Sequence, residues 1–171
     1  MTDTHSSLPS QAELLQRQGT LLIVDQIQPP PGLVPKGQTP SLKPKERGLF
    51  IAICDSGEVY AFNGHVDLGT GVRTALGQIV AEELYLRMDQ VRMVLGDTES
   101  TPNQGATIAS ATLQISAVPL RNAAAEARRW LLQQAAQRFD FRVEQLTLDD
   151  GIVVSPDGQR LSYGELVAGV H

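Results

Sequence analysis

Gly69-Thr70-Gly71 stands directly ahead of a run with helical periodicity, a spacing that can hold an anion. Glycine tolerates positive φ and lets the backbone come close to a ligand. A helix start offers free N–H groups and a partial positive charge, which suits a phosphate. The same three residues also make an ordinary tight turn, so the short motif leaves both readings open. Thr70 and Thr74 are candidate caps for the helix. The remaining chemistry-bearing side chains are scattered. His65 is either a ligand contact or a satisfied structural histidine, and His5 and His171 stand near the two ends, which argues against a histidine metal site within the chain. Glu82-Glu83 read as a solvated helix face rather than an acid–base pair. Asp97 reads as a turn former and Cys54 as a small core residue in a strand. No nucleophile, base and orienting group combine, so the residues describe a binding platform rather than a catalytic constellation.

The elements that must carry this platform follow from pattern. In ALGQIVAEEL, Leu76, Ile79, Val80 and Leu84 fall on one helical face. Ahead of it, Leu49–Ile53 and Glu58–Phe62 are strand-like runs joined by Asp55-Ser56-Gly57, a hairpin turn, and His65–Leu68 reads as a third short strand. Behind it, Val91, Met93 and Leu95 alternate in a strand, followed by the polar loop Gly96–Gly105. A long helical region follows, about Ala109 to Phe139. Pro119 should kink or split it, and Leu120, Ala124, Ala127, Leu131, Ala135 and Phe139 make the buried stripe. Arg121, Arg128 and Arg138 face out or toward a partner, and Trp130 packs beside the stripe. Val143–Leu148 and Gly151–Val154 return to strand around Asp149-Asp150, and Ser162 caps a short final helix. The order mixes both elements without a regular repeat. It predicts an α+β fold, with a small mixed sheet and hairpins packed against two or three helices.

Composition sets outer bounds. The 171 residues, 42% of them hydrophobic, suffice for one domain with a core, and the formal charge of −5 argues against a nucleic-acid binder. No apolar run reaches a membrane span, the first residues lack the pattern of a secretory signal, and a single cysteine excludes an internal disulfide or a multi-thiolate cluster within the chain. Two segments are expected: a flexible segment with a Pro-rich arm over residues 1–47, and a folded domain over 48–171. The first ten or so residues are expected to be mobile. Leu21–Val24 is a short strand-like run. PPPGLVPKGQTPSLKPK is a passive linker or an arm that lies along a partner subunit.

GHVDLGTGVRTALGQIVAEEL, VLGDTESTPNQGATIAS and LSYGELV, in this order and spacing, resemble the N-terminal part of the molybdenum-binding large subunit of the xanthine dehydrogenase/aldehyde oxidase superfamily. The resemblance covers roughly Gly48 to Gly169 and is nearest to the branch of nicotinate dehydrogenase and isoquinoline 1-oxidoreductase. The wider superfamily carries Gly-Gln-Gly where this chain has Gly69-Thr70-Gly71, and the nicotinate-like branch commonly carries Gly-Thr-Gly. The resemblance implies a molybdopterin cofactor, in the cytosine dinucleotide form, holding molybdenum without a direct protein ligand. It implies that Gly69, Thr70, Gly71, Val72 and Arg73 contact the pterin and phosphate region, and that Ala106, Thr107, Ala109 and Ser110 form a second contacting strip. Physically, two N–H-rich turns leading into helices can converge on one polyanion.

The same resemblance implies what lies elsewhere. Large subunits of the superfamily continue for several hundred residues past the segment resembling Ser162–Leu166, and the catalytic glutamate lies near their far end. The expectation is therefore a chain not catalytic alone. It is either one subunit of a split enzyme, sharing its cofactor with a larger molybdenum-binding chain that carries the glutamate while a [2Fe-2S] iron–sulfur subunit takes the electrons, or an isolated N-terminal fragment or gene remnant of such a large subunit. The implied reaction is hydroxylation of a small N-heteroaromatic substrate such as nicotinate, with oxygen from water. The implied location is cytoplasmic, with any membrane attachment made through partners. The rival expectation is a non-catalytic assembly or interaction module that keeps the fold without cofactor. Either way, apolar surface should be exposed where a partner packs, making the chain alone sticky or dimeric.

Overall fold

The computed structural model describes residues 9–27 and 47–169. The expectations for the extreme N-terminus, for the Pro-rich arm and for His5 and His171 fall outside these residues. Strand β1 (Thr20–Gln26) pairs antiparallel with β2 (Arg47–Cys54), which pairs antiparallel with β3 (Val59–Asn63). Helix α2 (Val72–Leu84) then crosses over to β4 (Val91–Leu95), which lies parallel to β3, with Asn63 opposite Leu95. The result is a four-stranded mixed sheet in the order β1-β2-β3-β4. A short helix, α1 (Gln11–Gln16), precedes it, and α3 (Ala117–Phe139) follows it. A three-stranded antiparallel sheet comes last, β5 (Thr147–Asp149), β6 (Ile152–Val154) and β7 (Arg160–Ser162), ending in α4 (Tyr163–Val167). This is the mixed α+β architecture expected from the pattern.

The sheet buries both faces, and strand alternation divides its side chains between two cores. Ile51, Ile53, Val59, Ala61 and Met93 meet Leu76, Val80 and Leu84 of α2 and Leu120, Ala124, Ala127 and Leu131 of α3. Leu49, Ala52, Cys54, Tyr60, Phe62 and Val94 meet Leu14 of α1 on the other face. Phe50 breaks the alternation because it is an extra residue. Ile23 pairs with Ile51 and Val24 with Leu49, which leaves Phe50 as a β-bulge whose ring joins the helix-covered core. The buried stripe of α3 is the one the spacing predicts, and Trp130 packs against it half-buried.

Several local expectations need correction. His65–Leu68 is not a strand, because its backbone amides bond to side chains instead of a ladder: His65 N–H to Asn63 Oδ1 at 3.1 Å and Val66 N–H to Thr107 Oγ1 at 2.9 Å. The long helical region starts later than Ala109, since Ala109 and Ser110 form a turn. A π-helical turn over Thr112–Ser116 then precedes α3. Pro119 does not split the helix: the chain runs from the π-helical turn into α3 without a break, and the departure from α geometry falls just ahead of the proline. Val143–Gln145 is a 3-10 turn rather than strand, closed by the Arg142 N–H donating to Gln145 Oε1 at 3.1 Å. Arg121 and Arg138 are exposed, as expected, and Arg128 is half-buried, yet all three also clamp other elements. Arg121 and Arg128 both pair with Glu83, Arg128 stands 5.5 Å from the Tyr85 ring centroid, and Arg138 donates to the carbonyls of Glu165 and Leu166. Glu83 is therefore not a solvated carboxylate; its side chain is 14% exposed.

Helix α4 docks on this frame through Tyr163, whose buried hydroxyl donates to the Leu84 carbonyl at 2.7 Å, closing the C-terminal end of α2. Tyr163→Phe strands that carbonyl and should cost about 1–2 kcal/mol. For a chain of this size the melting temperature should fall by roughly 3–6 °C, measured by calorimetry. An unchanged melting temperature would mean that water satisfies Leu84 equally well.

Candidate functional site

β3 and β4 are parallel and end side by side, at Asn63 and Leu95. The two chain segments that leave these carboxyl ends carry the two candidate strips, which is where open α/β sheets place their ligands. The first segment runs from Gly64 to the start of α2. The second runs from Gly96 through a polar loop to the π-helical turn. They are separated by a whole helix and strand, yet they line one cavity of about 370 Å³.

A buried polar hub sets their separation. His65 is 1% exposed, and its ring hydrogen-bonds Thr112 Oγ1 at 2.8 Å through Nδ1 and Ser116 Oγ at 3.1 Å through Nε2. Gln104, 2% exposed, accepts from the Gly64 N–H at 2.9 Å and donates to the Ser116 carbonyl at 3.0 Å. Asn63 Nδ2 donates to the same carbonyl at 3.1 Å. His65 is thus the satisfied structural histidine of the two readings. Asp97 likewise holds its own loop, accepting from Glu99 N–H at 3.1 Å and from the Ser100 hydroxyl at 2.5 Å. Buried polar side chains that satisfy one another in this way fix a unique geometry.

The cavity is lined by Thr70 and Val72 from the first strip and by Thr107, Ala109 and Ser110 from the second, with Leu68, Ile108, Thr112, Leu113 and Gln114 beside them. Five of the nine candidate contact residues therefore meet here. Gly69, Gly71, Arg73 and Ala106 do not line it. The Arg73 guanidinium is turned away and donates to the Met93 carbonyl at 2.6 Å. Leu68, Ile108 and Leu113 are 75%, 58% and 47% exposed, so the walls are apolar and open. No lining side chain is charged. Thr107 and Thr112 already use their hydroxyls within the protein, whereas no hydrogen bond among the described residues engages the hydroxyls of Thr70 and Ser110.

Both turns at the cavity are conformationally unusual. Ala109 and Ser110 have φ of 52° and 58°, and Ala111 N–H donates to the Ile108 carbonyl at 2.9 Å, the pattern of a type I′ turn. Two consecutive non-glycine residues in the left-handed region cost of order 1 kcal/mol each, and such strain clusters at ligand sites. In the glycine turn, Gly69 and Gly71 have φ of 87° and 77°. Neither threonine caps α2. The cap is the carboxylate of Asp67: Oδ1 accepts from the N–H groups of Gly69 and Thr70 at 2.9 Å and of Gly71 at 3.2 Å, and Oδ2 from that of Arg73 at 3.0 Å. These bonds, the Arg73 amide foremost, hold the Asp67 carboxyl below its ordinary value against the opposing effect of desolvation. Sequence reasoning passed over Asp67. An aspartate two residues before a glycine turn, able to bond the amides that follow it, was the available signal.

The fit to a pterin cofactor can be judged on this geometry. A neutral cavity with apolar walls and two uncommitted hydroxyls matches a flat heteroaromatic ring with a hydrogen-bonding edge. It offers no cation to a phosphate, and the turn's amides are engaged by Asp67. The residues present therefore fit the ring end of the cofactor. Among the described residues no group of three or more His, Cys, Asp or Glu side chains is placed to hold a metal, and no helix is long and apolar enough to cross a membrane.

The family model of the molybdopterin cofactor-binding domain matches residues 21–171. The chain is 67% identical over 162 residues to a nicotinate dehydrogenase subunit of Pseudomonas putida, a match covering 95% of this chain and 14% of that protein. It is 34% identical over 141 residues to the β-subunit of isoquinoline 1-oxidoreductase from Brevundimonas diminuta, covering 77% of this chain and 18% of the relative. The chain thus spans less than a fifth of the length of either relative. Among solved structures it resembles quinoline 2-oxidoreductase from Pseudomonas putida 86, with a TM-score of 0.59 and 26% identity over 69% of this chain and 15% of that one. It shares a fold with CO dehydrogenase from Oligotropha carboxidovorans, with a TM-score of 0.63 and 18% identity over 88% of this chain and 19% of that one.

Proposed function

This chain belongs to the molybdopterin cofactor-binding domain family, and from that premise we propose that it holds the ring end of a molybdopterin in a nicotinate dehydrogenase-like molybdenum hydroxylase. The observation that carries the reading is the convergence of the two strips on one neutral cavity at the carboxyl ends of β3 and β4. Thr70 and Ser110 offer hydroxyls to the ring edge, while Val72, Ala109, Ile108 and Leu113 cover its faces. Gly69, Gly71, Arg73 and Ala106 act through the backbone geometry that presents these side chains. When bound, the cofactor supplies two-electron redox chemistry at molybdenum. This chain's residues hold and orient it.

The finer reading follows the family resemblance of the sequence motifs. The cofactor is the cytosine dinucleotide form, the substrate a small N-heteroaromatic compound such as nicotinate, and the inserted oxygen comes from water. The catalytic glutamate belongs to the larger molybdenum-binding part, and a [2Fe-2S] partner receives the electrons, in the cytoplasm. The 67% identity to a nicotinate dehydrogenase chain supports this branch of the family.

The test is to capture the tagged protein from its native host and assay the eluate for molybdenum, for the fluorescence of oxidised pterin and for companion chains by mass spectrometry. Molybdenum and pterin in comparable amounts, with an iron–sulfur chain, is the expected result. An eluate that carries the companion chains but neither molybdenum nor pterin would overturn the proposal in favour of an assembly module.

A further inference from the structure

The N-terminus of α2 has the geometry of an anion cradle, and the chain fills it from within. Four consecutive or near-consecutive amides, those of Gly69, Thr70, Gly71 and Arg73, converge on one carboxylate, with both oxygens of Asp67 used. The two positive-φ glycines turn the amides inward together, and a Cβ at either would meet nothing within 4 Å, so the glycines serve backbone shape and not a tight approach to other protein groups. We propose that Asp67 is a built-in counter-ion and the positioning residue of the cavity: it satisfies the helix N-terminus permanently, so the turn presents the Thr70 hydroxyl and the Val72 side chain to the ligand and withholds its amides from the ligand's phosphate. The part concerning the ligand rests on the cavity being the cofactor's ring site; the part concerning Asp67 stands on the hydrogen bonds alone.

Three features make the internal anion effective. A carboxylate accepting several backbone N–H groups forms charge-assisted bonds, stronger than neutral ones. It complements the partial positive charge of a thirteen-residue helix. Being tethered two residues from the turn, it competes with a free anion at a high effective concentration. The side chain is only half-buried, so the competition is set by geometry and not by exclusion of solvent.

The experiment uses the full chain and amide chemical shifts, with no cofactor present. In the wild type, the amides of Gly69, Thr70, Gly71 and Arg73 should titrate together, with a midpoint below the ordinary aspartate value of 3.8. The sign follows from linkage: a carboxyl depressed in the folded state contributes stability that is whole above its ordinary value and lost as the pH falls through the lower folded-state value. At neutral pH these amides should ignore inorganic phosphate. In Asp67→Ala they should shift saturably with phosphate, at concentrations about tenfold or more below any at which the wild type responds, and acetate should compete for the same place. Should Asp67→Ala fail to fold, Asp67→Asn decides, because it keeps an acceptor but cannot titrate; the common acid transition of the four amides should vanish. The proposal is overturned if wild-type amides respond to phosphate as strongly as those of Asp67→Ala, or if the common transition persists in Asp67→Asn. Phosphate-responsive wild-type amides beside retained pterin would sink this inference and leave the cofactor reading intact. Unresponsive amides beside an eluate without pterin would do the reverse.

Discussion

Gly64→Ala should be among the most damaging single substitutions in the chain. A Cβ at this position would lie 2.0 Å from the Pro102 carbonyl oxygen and 3.1 Å from the Gln104 nitrogen, and both are backbone atoms with no rotamer to change. The loop following β4 must move away as a unit. That movement breaks the bond from Gly64 N–H to Gln104 Oε1 and strains the Gln104 bond to Ser116, so buried polar groups lose partners together. Overpacking alone costs about 1–3 kcal/mol, and the lost bonds bring the sum to roughly 3–5 kcal/mol. The denaturant midpoint should drop accordingly with little change in slope. A loss under about 1 kcal/mol would show that the loop over Pro102 yields freely, and that the hub does not fix the distance between the two strips.

The second large effect is on ligand retention, and two substitutions at one residue should separate it from stability. Ala109 lines the cavity at a φ of 52°. Glycine adopts that conformation without strain, so Ala109→Gly should stabilise the protein by up to about 1 kcal/mol. Valine adopts it poorly, because a β-branched residue at positive φ is a genuine outlier. Ala109→Val should therefore force the turn over Ile108–Ala111 into another conformation, removing Ser110 and Ile108 from the cavity wall. Pterin retained by the assembled protein should fall about tenfold or more, the equivalent of roughly 1.4 kcal/mol of lost binding. The paired outcome is diagnostic. Equal retention in both variants would detach the turn from the ligand, whatever their stabilities.

Much of the fold was legible because it rests on periodicity. The stripe of α3, the buried face of α2 and the alternation of Val91, Met93 and Leu95 all follow from spacing, and the structure buries or packs each of them. The hairpin at Asp55-Ser56-Gly57 and the Ser162 cap follow from local turn chemistry, with Glu165 completing a capping box around Ser162. What pattern missed depends on partners distant in sequence. His65–Leu68 carries strand-like residues, but Thr107 and Asn63 claim its amides before a neighbouring strand can. Glu83 looks like half of a solvated pair until Arg121 and Arg128 are brought over it from α3. The pairing of β3 with β4 in parallel was equally hidden, since a crossover helix and a simple helix–strand sequence have the same pattern. For the candidate site, the motifs named two stretches of chain that the fold brings to one cavity. Only the folded geometry separates residues whose side chains reach the cavity, such as Thr70 and Ser110, from Gly69 and Gly71, whose amides are already engaged.

The bulge in β2 bears on how this sheet tolerates changes of length. In a pleated strand, losing one residue ordinarily turns every later side chain from one core to the other. At Phe50 the arithmetic differs. Leu49 belongs to the α1 side and Ile51 to the helix-covered side, and they would stay so if Phe50 were absent, because the residue is surplus to the pairing with β1. Homologous chains can therefore differ by one residue at this point of β2 and keep inside and outside unchanged. A gap placed there in an alignment is physically permissible, whereas the same gap two residues later would exchange the two cores.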